Sequence, residues 1–155
     1  MRWAIEGVDI QTEAYETLEK HEPRSIHEYL ADRLVQEAAE IVFYDHGSGE
    51  IADFVTFERR PSDLLVTLYH VKASGGEKPS EKGRVGDVYE VCGQVVKSFI
   101  WLDREELWGE IHYRFNSRSS QFIKGDLLQL QELLENTASI AATYGTVIVQ
   151  PGIKR

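Results

Sequence analysis

Hydrophobic and polar positions follow two periods along the chain, and these periods divide it into helices and strands. Apolar residues recur every three or four positions over 26–39, 85–101 and 125–143, as they do on one face of a helix. Short β-branched and aromatic runs bounded by turn-forming residues predict strands between them. In chain order we expect a helix over 26–39, strands over 41–44, 51–58 and 64–72, a helix over 85–101, a strand over 108–115, a helix over 125–143 and a strand over 146–149.

The second and third predicted strands are joined by a short turn rich in breaking residues, which predicts an antiparallel hairpin. Pairing across that turn places Asp53 opposite Tyr69 or His70. Side chains alternate along a strand, so His70 and Lys72 share one face, and a directly opposed Asp53 lies about 5 Å away between Cβ atoms. The hairpin therefore brings an acid, an imidazole and an amine together, as in a small metal site with a lysine beside it.

Asp53 is the most informative of these residues, because its strand is otherwise apolar and burial of a lone carboxylate is costly. This favours a functional role for Asp53 over a purely structural one. His70 is equally consistent with a metal ligand and with a hydrogen-bonded structural histidine. Lys72 at the end of its strand is either solvated or part of the same site.

The composition narrows the class of protein. A chain of 155 residues with 42% hydrophobic content has the length of one domain with a real core. The net charge of −9 argues against a surface that holds nucleic acid by bulk counterion release. Cys92 is the single cysteine, so no intrachain disulfide can form. No signal-like or membrane-spanning run is present, and we expect a cytoplasmic protein without membrane contact.

The order helix, strand, strand, strand, helix, strand resembles the core of the restriction-endonuclease-like, or PD-(D/E)XK, nuclease superfamily. Asp53 follows a Gly-Ser-Gly turn at the start of the second strand, and His70-Val71-Lys72 ends the third. This pattern is most similar to the archaeal Holliday-junction resolvase and Mrr-like branch. The resemblance implies an α/β fold (α+β by some schemes) with an αβββαβ core and a mixed central sheet flanked by helices. It covers 25–115, leaving an N-terminal extension over 1–24 and an added helix and strand over 116–155 of a single domain.

The resemblance also implies roles for individual residues and a divalent metal, Mg²⁺ or Mn²⁺. The implied catalytic residues are Asp53, His70, Lys72 and Gln94; the implied metal ligands are Asp53, His70, Glu28 and Glu50; the implied substrate-binding residues are Arg84, Glu90 and Lys97. Some of them have a structural alternative. Glu28 is also the capping-box partner of Ser25, and Gln94 and Glu90 also fit a solvated helix face.

His70 departs from the family pattern, which has a carboxylate at this position. Imidazole binds Mn²⁺ or Zn²⁺ well and Mg²⁺ poorly, so either the metal preference is shifted or the site is lost. Glu50, three residues before Asp53, is a carboxylate that compensates if the site is active.

The sequence thus predicts a metal-dependent nuclease acting on DNA, in defence against foreign DNA or in repair, as a homodimer or a subunit of a larger complex. Two alternatives stay open. One is a catalytically silent module of the same fold, used for protein interaction or substrate recognition. The other is a small regulatory or immunity protein whose acidic outer face mimics nucleic acid.

Overall fold

A computed structural model describes residues 6–75, 92–97, 99–118 and 120–151 of the chain, which form an α+β fold. In the first half one helix is followed by three strands, and the described part of the second half combines helices with two further strands. The elements are α1 (Ile26–Gln36), β1 (Ile41–Tyr44), β2 (Phe54–Arg59), β3 (Asp63–Val71), α2 (helical residues 92–97), a 3-10 turn (Phe99–Trp101), α3 (Arg104–Ser117), β4 (Gln121–Lys124), α4 (Leu127–Asn136) and β5 (Ala141–Val149).

The strands form one five-stranded mixed sheet in the order β4-β1-β2-β3-β5. β1, β2 and β3 are an antiparallel meander, β4 pairs antiparallel with β1, and β5 runs parallel to β3. Residues 116–155 therefore supply both edge strands of the sheet. The hairpin between β2 and β3 pairs Arg59 with Leu64 and Phe54 with Tyr69. Asp53, just before β2, consequently lies at the end of the hairpin where β3 reaches His70.

Both faces of the sheet are covered, which explains why β1 is apolar at every position and fully buried. On one face, Leu107 and Ile111 of α3 pack with Leu130 and Leu133 of α4 against the central strands. On the other face, α1 contributes Ile26, Leu30 and Leu34 to a second cluster. These two clusters fix the central strands between helices, and the site described below lies at one end of those strands.

The predicted start of the first helix and the strand over 41–44 are confirmed. Ser25 Oγ accepts a hydrogen bond from the Glu28 N–H at 3.2 Å, and Glu28 Oε2 accepts one from the Ser25 N–H at 2.6 Å. This reciprocal pair satisfies two backbone donors at the helix start. The hairpin is also confirmed: β2 extends to Arg59 before the turn, and the pairing of Phe54 with Tyr69 places Asp53 level with His70, one of its two predicted partners.

The predicted strand over 108–115 is wrong, because these residues belong to α3. Asp103 caps that helix by accepting hydrogen bonds from the backbone N–H groups of Glu105 and Glu106. Leu107, Ile111 and Arg114 are its buried residues, and their spacing of four and three is helical. The apparent strand alternation in this segment includes Tyr113 and Phe115, which are large side chains exposed on the surface of the helix.

The C-terminal elements also differ from the predicted ones. The last helix ends at Asn136 and β5 already begins at Ala141, so the strand is longer than predicted and the helix is shorter. β4 has four residues and no clear pattern in the sequence, which is why it was not predicted. Of the predicted helix over 85–101, residues 85–91 lie outside the described residues and 92–97 are helical. Cys92 belongs to the apolar pattern that predicted this helix, but it is exposed.

Glycines at two positions give opposite predictions for stability. Gly125 has φ +77°, and a Cβ there would overlap Ile41 Cδ1, whereas Gly109 lies in α3 with open space around it. We expect Gly125→Ala to lower the free energy of unfolding by about 2–4 kcal/mol through backbone strain and overpacking. Gly109→Ala should raise it by about 0.5–1 kcal/mol through helix propensity. Urea unfolding followed by circular dichroism measures both.

Gly7→Ala is the matched control for backbone strain alone, because Gly7 has φ +71° with no atom within 4 Å of the added Cβ. It should cost about 1–2 kcal/mol. An equal loss for Gly7→Ala and Gly125→Ala would contradict the packing of Gly125 against Ile41.

Candidate metal site

Side chains from four segments meet at the end of the sheet where β2 begins and β3 finishes. They are Glu13 from the N-terminal loop, His27 from the first turn of α1, His46 after β1, and Asp53 before β2. Each offers one potential ligand atom, and these four atoms all lie within 4.8 Å of one another. Two nitrogens and two oxygens therefore converge on one point.

Asp53 is the buried centre of this cluster, with 1% of its surface exposed. Its Oδ2 accepts a hydrogen bond from the Val71 N–H at 2.7 Å. Its Oδ1 lies 3.2 Å from His27 Nε2 and 3.3 Å from His46 Nδ1. Burial on its own would raise the pKa of Asp53, but the two imidazoles and the Val71 N–H hold that pKa well below its usual range. The neighbouring donors thus favour the ionised form of this buried carboxylate.

His27 is completely buried, and each of its ring nitrogens lies near an oxygen atom. Nδ1 lies 3.1 Å from the Tyr44 hydroxyl. Nε2 lies next to Asp53 Oδ1, yet it makes no aligned hydrogen bond within the part of the chain that the structure describes. Buried polar atoms are usually satisfied, so a nitrogen of this kind facing a carboxylate fits a ligand for a bound cation. When the Tyr44 hydroxyl accepts from Nδ1–H, the Nε2 lone pair is available for that purpose.

His46 lies on the solvent side of the site and is partly exposed. Its hydrogen bond to Asp53 raises its pKa against the opposing effect of burial. Glu50 Oε2 is 3.7 Å from His46 Nδ1 and accepts the Gly47 N–H at 2.8 Å. Burial, together with the negative charge of Asp53, raises the pKa of Glu50 to about 7. Glu50 is thus a neighbour of the four donors.

Glu13 joins the N-terminal loop to the site. Its Oε2 accepts a hydrogen bond from the Ala73 N–H at 3.1 Å and lies 3.8 Å from Lys72 Nζ. Its backbone carbonyl accepts the His27 N–H at 3.0 Å. These contacts connect Glu13 to α1 and to the end of β3, and they place the Lys72 amine beside the cluster.

Two of the separations between donors suit a transition metal. A tetrahedral ion with bonds of about 2.0–2.1 Å keeps its ligand atoms ~3.3 Å apart. Asp53 Oδ1 has this separation from both imidazole nitrogens. Two imidazoles with two carboxylates suit Mn²⁺ or Zn²⁺ better than Mg²⁺, which prefers a shell made of oxygen.

The structure brings some of the predicted site residues together. Asp53 is in the cluster, Lys72 is beside it through Glu13, and Glu50 is beside it through His46. His70 is buried near Asp53: burial lowers its pKa, and the charge of Asp53 opposes that change. Its imidazole is not among the four converging donors.

Glu28, a predicted ligand, has its carboxylate in the capping box instead. Oε2 accepts the Ser25 N–H, and Oε1 accepts the His21 N–H at 2.8 Å and lies 2.7 Å from His21 Nδ1. Burial on its own would raise the pKa of Glu28, but these hydrogen bonds leave it lowered. The structural alternative for Glu28 therefore accounts for both of its oxygens.

The residues predicted on the later helix are only partly described. Gln94 is half-buried and Lys97 is exposed in α2. Arg84 and Glu90 lie outside the described residues.

Three of the four donors were missed in the sequence: Glu13, His27 and His46. His27 had a usable signal, because at 100° per residue it falls between Leu34 and Ala31 on the buried stripe of α1. A polar side chain there needs a partner. His46 and Glu13 lie in loops, where hydrophobic periodicity gives no direction for a side chain.

No known protein family matches this chain, and neither a curated protein nor a solved structure matches it. Among the described residues, no helix has the length and apolar character required to cross a bilayer.

Metal binding gives a direct test of the four-donor site. We expect Mn²⁺ or Zn²⁺ at 100 times its dissociation constant to stabilise the fold by about 2.7 kcal/mol. His27→Ala and Asp53→Asn should abolish this gain, because each removes a donor. Thermal unfolding with and without metal, together with calorimetric titration, measures the effect.

Glu28→Gln is the control, because its carboxylate is engaged in the capping box rather than the cluster. It should lower stability with or without metal while leaving the metal-dependent gain unchanged. Loss of that gain in Glu28→Gln, with its retention in His27→Ala, would contradict the assignment and favour Glu28 as the ligand.

Proposed function

We propose that this protein is a metal-dependent nuclease that hydrolyses phosphodiester bonds of DNA. The observation that carries the proposal is the convergence of Asp53, Lys72 and three further potential metal ligands, one of them the buried His27, where β2 begins and β3 ends. These are the positions at which the restriction-endonuclease-like pattern has its acid and its lysine.

The order of the elements supports the same proposal. α1 is followed by the antiparallel strands β1, β2 and β3, then by helices, and then by β5, which is parallel to β3. Under this proposal β5 would be the last core strand, the role first given to residues 108–115. β4, which pairs with β1, would be an addition to that core.

The chain's residues have distinct roles under this proposal. Asp53, His27, His46 and Glu13 would hold the ion. A bound divalent cation supplies activation of water and neutralisation of charge on the scissile phosphate. The Lys72 amine, beside Glu13, would hold the attacking water or stabilise the negative charge that develops on the phosphate.

The replacement of a carboxylate by His70 is compatible with activity here. Glu13 and two imidazoles complete the donor set around Asp53, so the site does not depend on a carboxylate at position 70. A silent module has no need to keep an ionised, buried aspartate beside a buried histidine, because such groups are costly to desolvate. This favours the enzyme over the silent alternative.

The acidic charge of the chain bears on how DNA would be held. With 26 acidic and 17 basic residues, the net negative charge of the chain repels the DNA backbone. We therefore expect local contacts near the site, and targeting through a second copy or a partner protein. The setting would be defence against foreign DNA or repair.

Cleavage assays test the proposal. With Mn²⁺, the purified protein should cleave plasmid, single-stranded or branched DNA, and chelation should stop it. Asp53→Asn should remove activity through loss of the central ligand, and Lys72→Ala should reduce the cleavage rate by about 10²–10³-fold. Lys20→Ala, at an exposed lysine of the N-terminal loop, should keep the wild-type rate.

Two outcomes would count against the proposal. Metal binding without cleavage of any of the three substrates would favour the silent module. Cleavage that survives both Asp53→Asn and Lys72→Ala would place the activity elsewhere or in a contaminant.

A further inference from the structure

A buried ionic network lies behind the candidate metal site. Asp45 is fully buried, and Arg114 of α3 is 4% exposed. Asp45 Oδ1 accepts hydrogen bonds from Arg114 Nε and from Ser120 Oγ, the latter at 2.6 Å. Asp45 Oδ2 accepts the Ile51 N–H at 2.8 Å. These contacts connect the chain that follows β1 to α3 through Arg114 and to the start of β4 through Ser120.

Arg114 contacts this segment at two points. Besides its bond to Asp45, its Nη1 donates to the Gly49 carbonyl at 2.8 Å. The Asp45 N–H donates to the Asp53 carbonyl at 3.0 Å and closes the base of the segment. We name residues 45–53 the donor loop, because it carries His46 and Asp53, two of the four potential metal ligands.

The donor loop needs such a support. Gly47 and Gly49 adopt φ of +127° and +75°, conformations that glycine reaches easily and that do not by themselves fix a single loop geometry. α3, in contrast, is rigidly placed, because Leu107 and Ile111 are buried in the core. The guanidinium transfers the fixed position of α3 to the loop through a planar fork that spans two acceptors.

We propose that Arg114 is a positioning residue for the metal site: it holds the donor loop so that His46 and Asp53 meet His27. This inference rests on the proposed metal-dependent function for its significance. Arg114 itself is assigned no contact with metal or DNA. Its effect passes through Asp45, which directly precedes His46 in the chain, and through Gly49, which lies between His46 and Asp53.

The decisive variant is Arg114→Lys. Lysine keeps the positive charge next to Asp45, but its single ammonium cannot bridge Asp45 and the Gly49 carbonyl in the same way. Removing the charge outright would leave Asp45 buried and unpaired, with a risk of unfolding. Ser120→Ala is a milder variant, because it removes one hydrogen bond to Asp45 and leaves the fork intact.

Ile111→Val is the matched control. It lies on the same helix and is fully buried in the core cluster that includes Ile51 and Ala52, but its side chain makes no hydrogen bond to the donor loop. If Ile111→Val lowers the free energy of unfolding less than Arg114→Lys does, Ile111→Ala replaces it as the control of equal stability. Any effect common to Arg114→Lys and a control of equal stability is due to weakening of the fold.

The experiment uses the full chain with two measurements. Calorimetric titration with Mn²⁺ should show affinity about 10–100-fold lower in Arg114→Lys, a smaller loss in Ser120→Ala, and none in the control. Amide hydrogen exchange, without metal, should be at least about 10-fold faster in Arg114→Lys over residues 46–53, with β2 and β3 unchanged.

Each outcome is decisive. Unchanged exchange in the donor loop of Arg114→Lys would overturn the proposal, whether or not the protein binds metal. Faster exchange with unchanged Mn²⁺ affinity would overturn the link to the site. Failure of the wild-type protein to bind Mn²⁺ would count against the proposed function alone, since the exchange measurement still decides whether Arg114 holds the loop.

Discussion

The structure depends on how one buried carboxylate is satisfied. Asp53 lies in a dry location at the end of the sheet, and such a group is tolerated only when hydrogen bonds or charges compensate it. Its partners come from three separate elements: the backbone of β3 through Val71, the start of α1 through His27, and the donor loop through His46. Satisfying Asp53 therefore assembles the site and joins these elements at the same time.

A second buried carboxylate, Asp45, supports the first one from behind. Its partners fix the backbone of the donor loop, whereas two partners of Asp53, His27 and His46, are side chains of a type that binds metal ions. Asp45 thus holds the loop in place, whereas Asp53 lies among the potential metal ligands. This division explains why a loop with two glycines in left-handed conformations holds two donors in a defined place.

Much of the first half of the fold could be predicted from local signals. The capping box, the apolar run of β1 and the breaker-rich hairpin turn each depend on a few neighbouring residues. Prediction failed in the second half, where Trp108 and its neighbours show an alternation that resembles a strand but lie in a helix. This segment is helical because Asp103 caps it and because Leu107, Ile111 and Arg114 are its buried side chains. That burial arises only when the core is assembled.

The sequence by itself determined that Asp53 needs partners, that it lies near the end of the third strand, and that Lys72 is close to it. Those conclusions follow from strand periodicity and the cost of burying a charge. Only the tertiary structure showed which side chains gather around Asp53: Glu13, His27 and His46 join it in the cluster, whereas Glu28 and His70 do not. The physical reason is that donors from loops and from another helix converge through chain folding, and no local period in the sequence records that convergence.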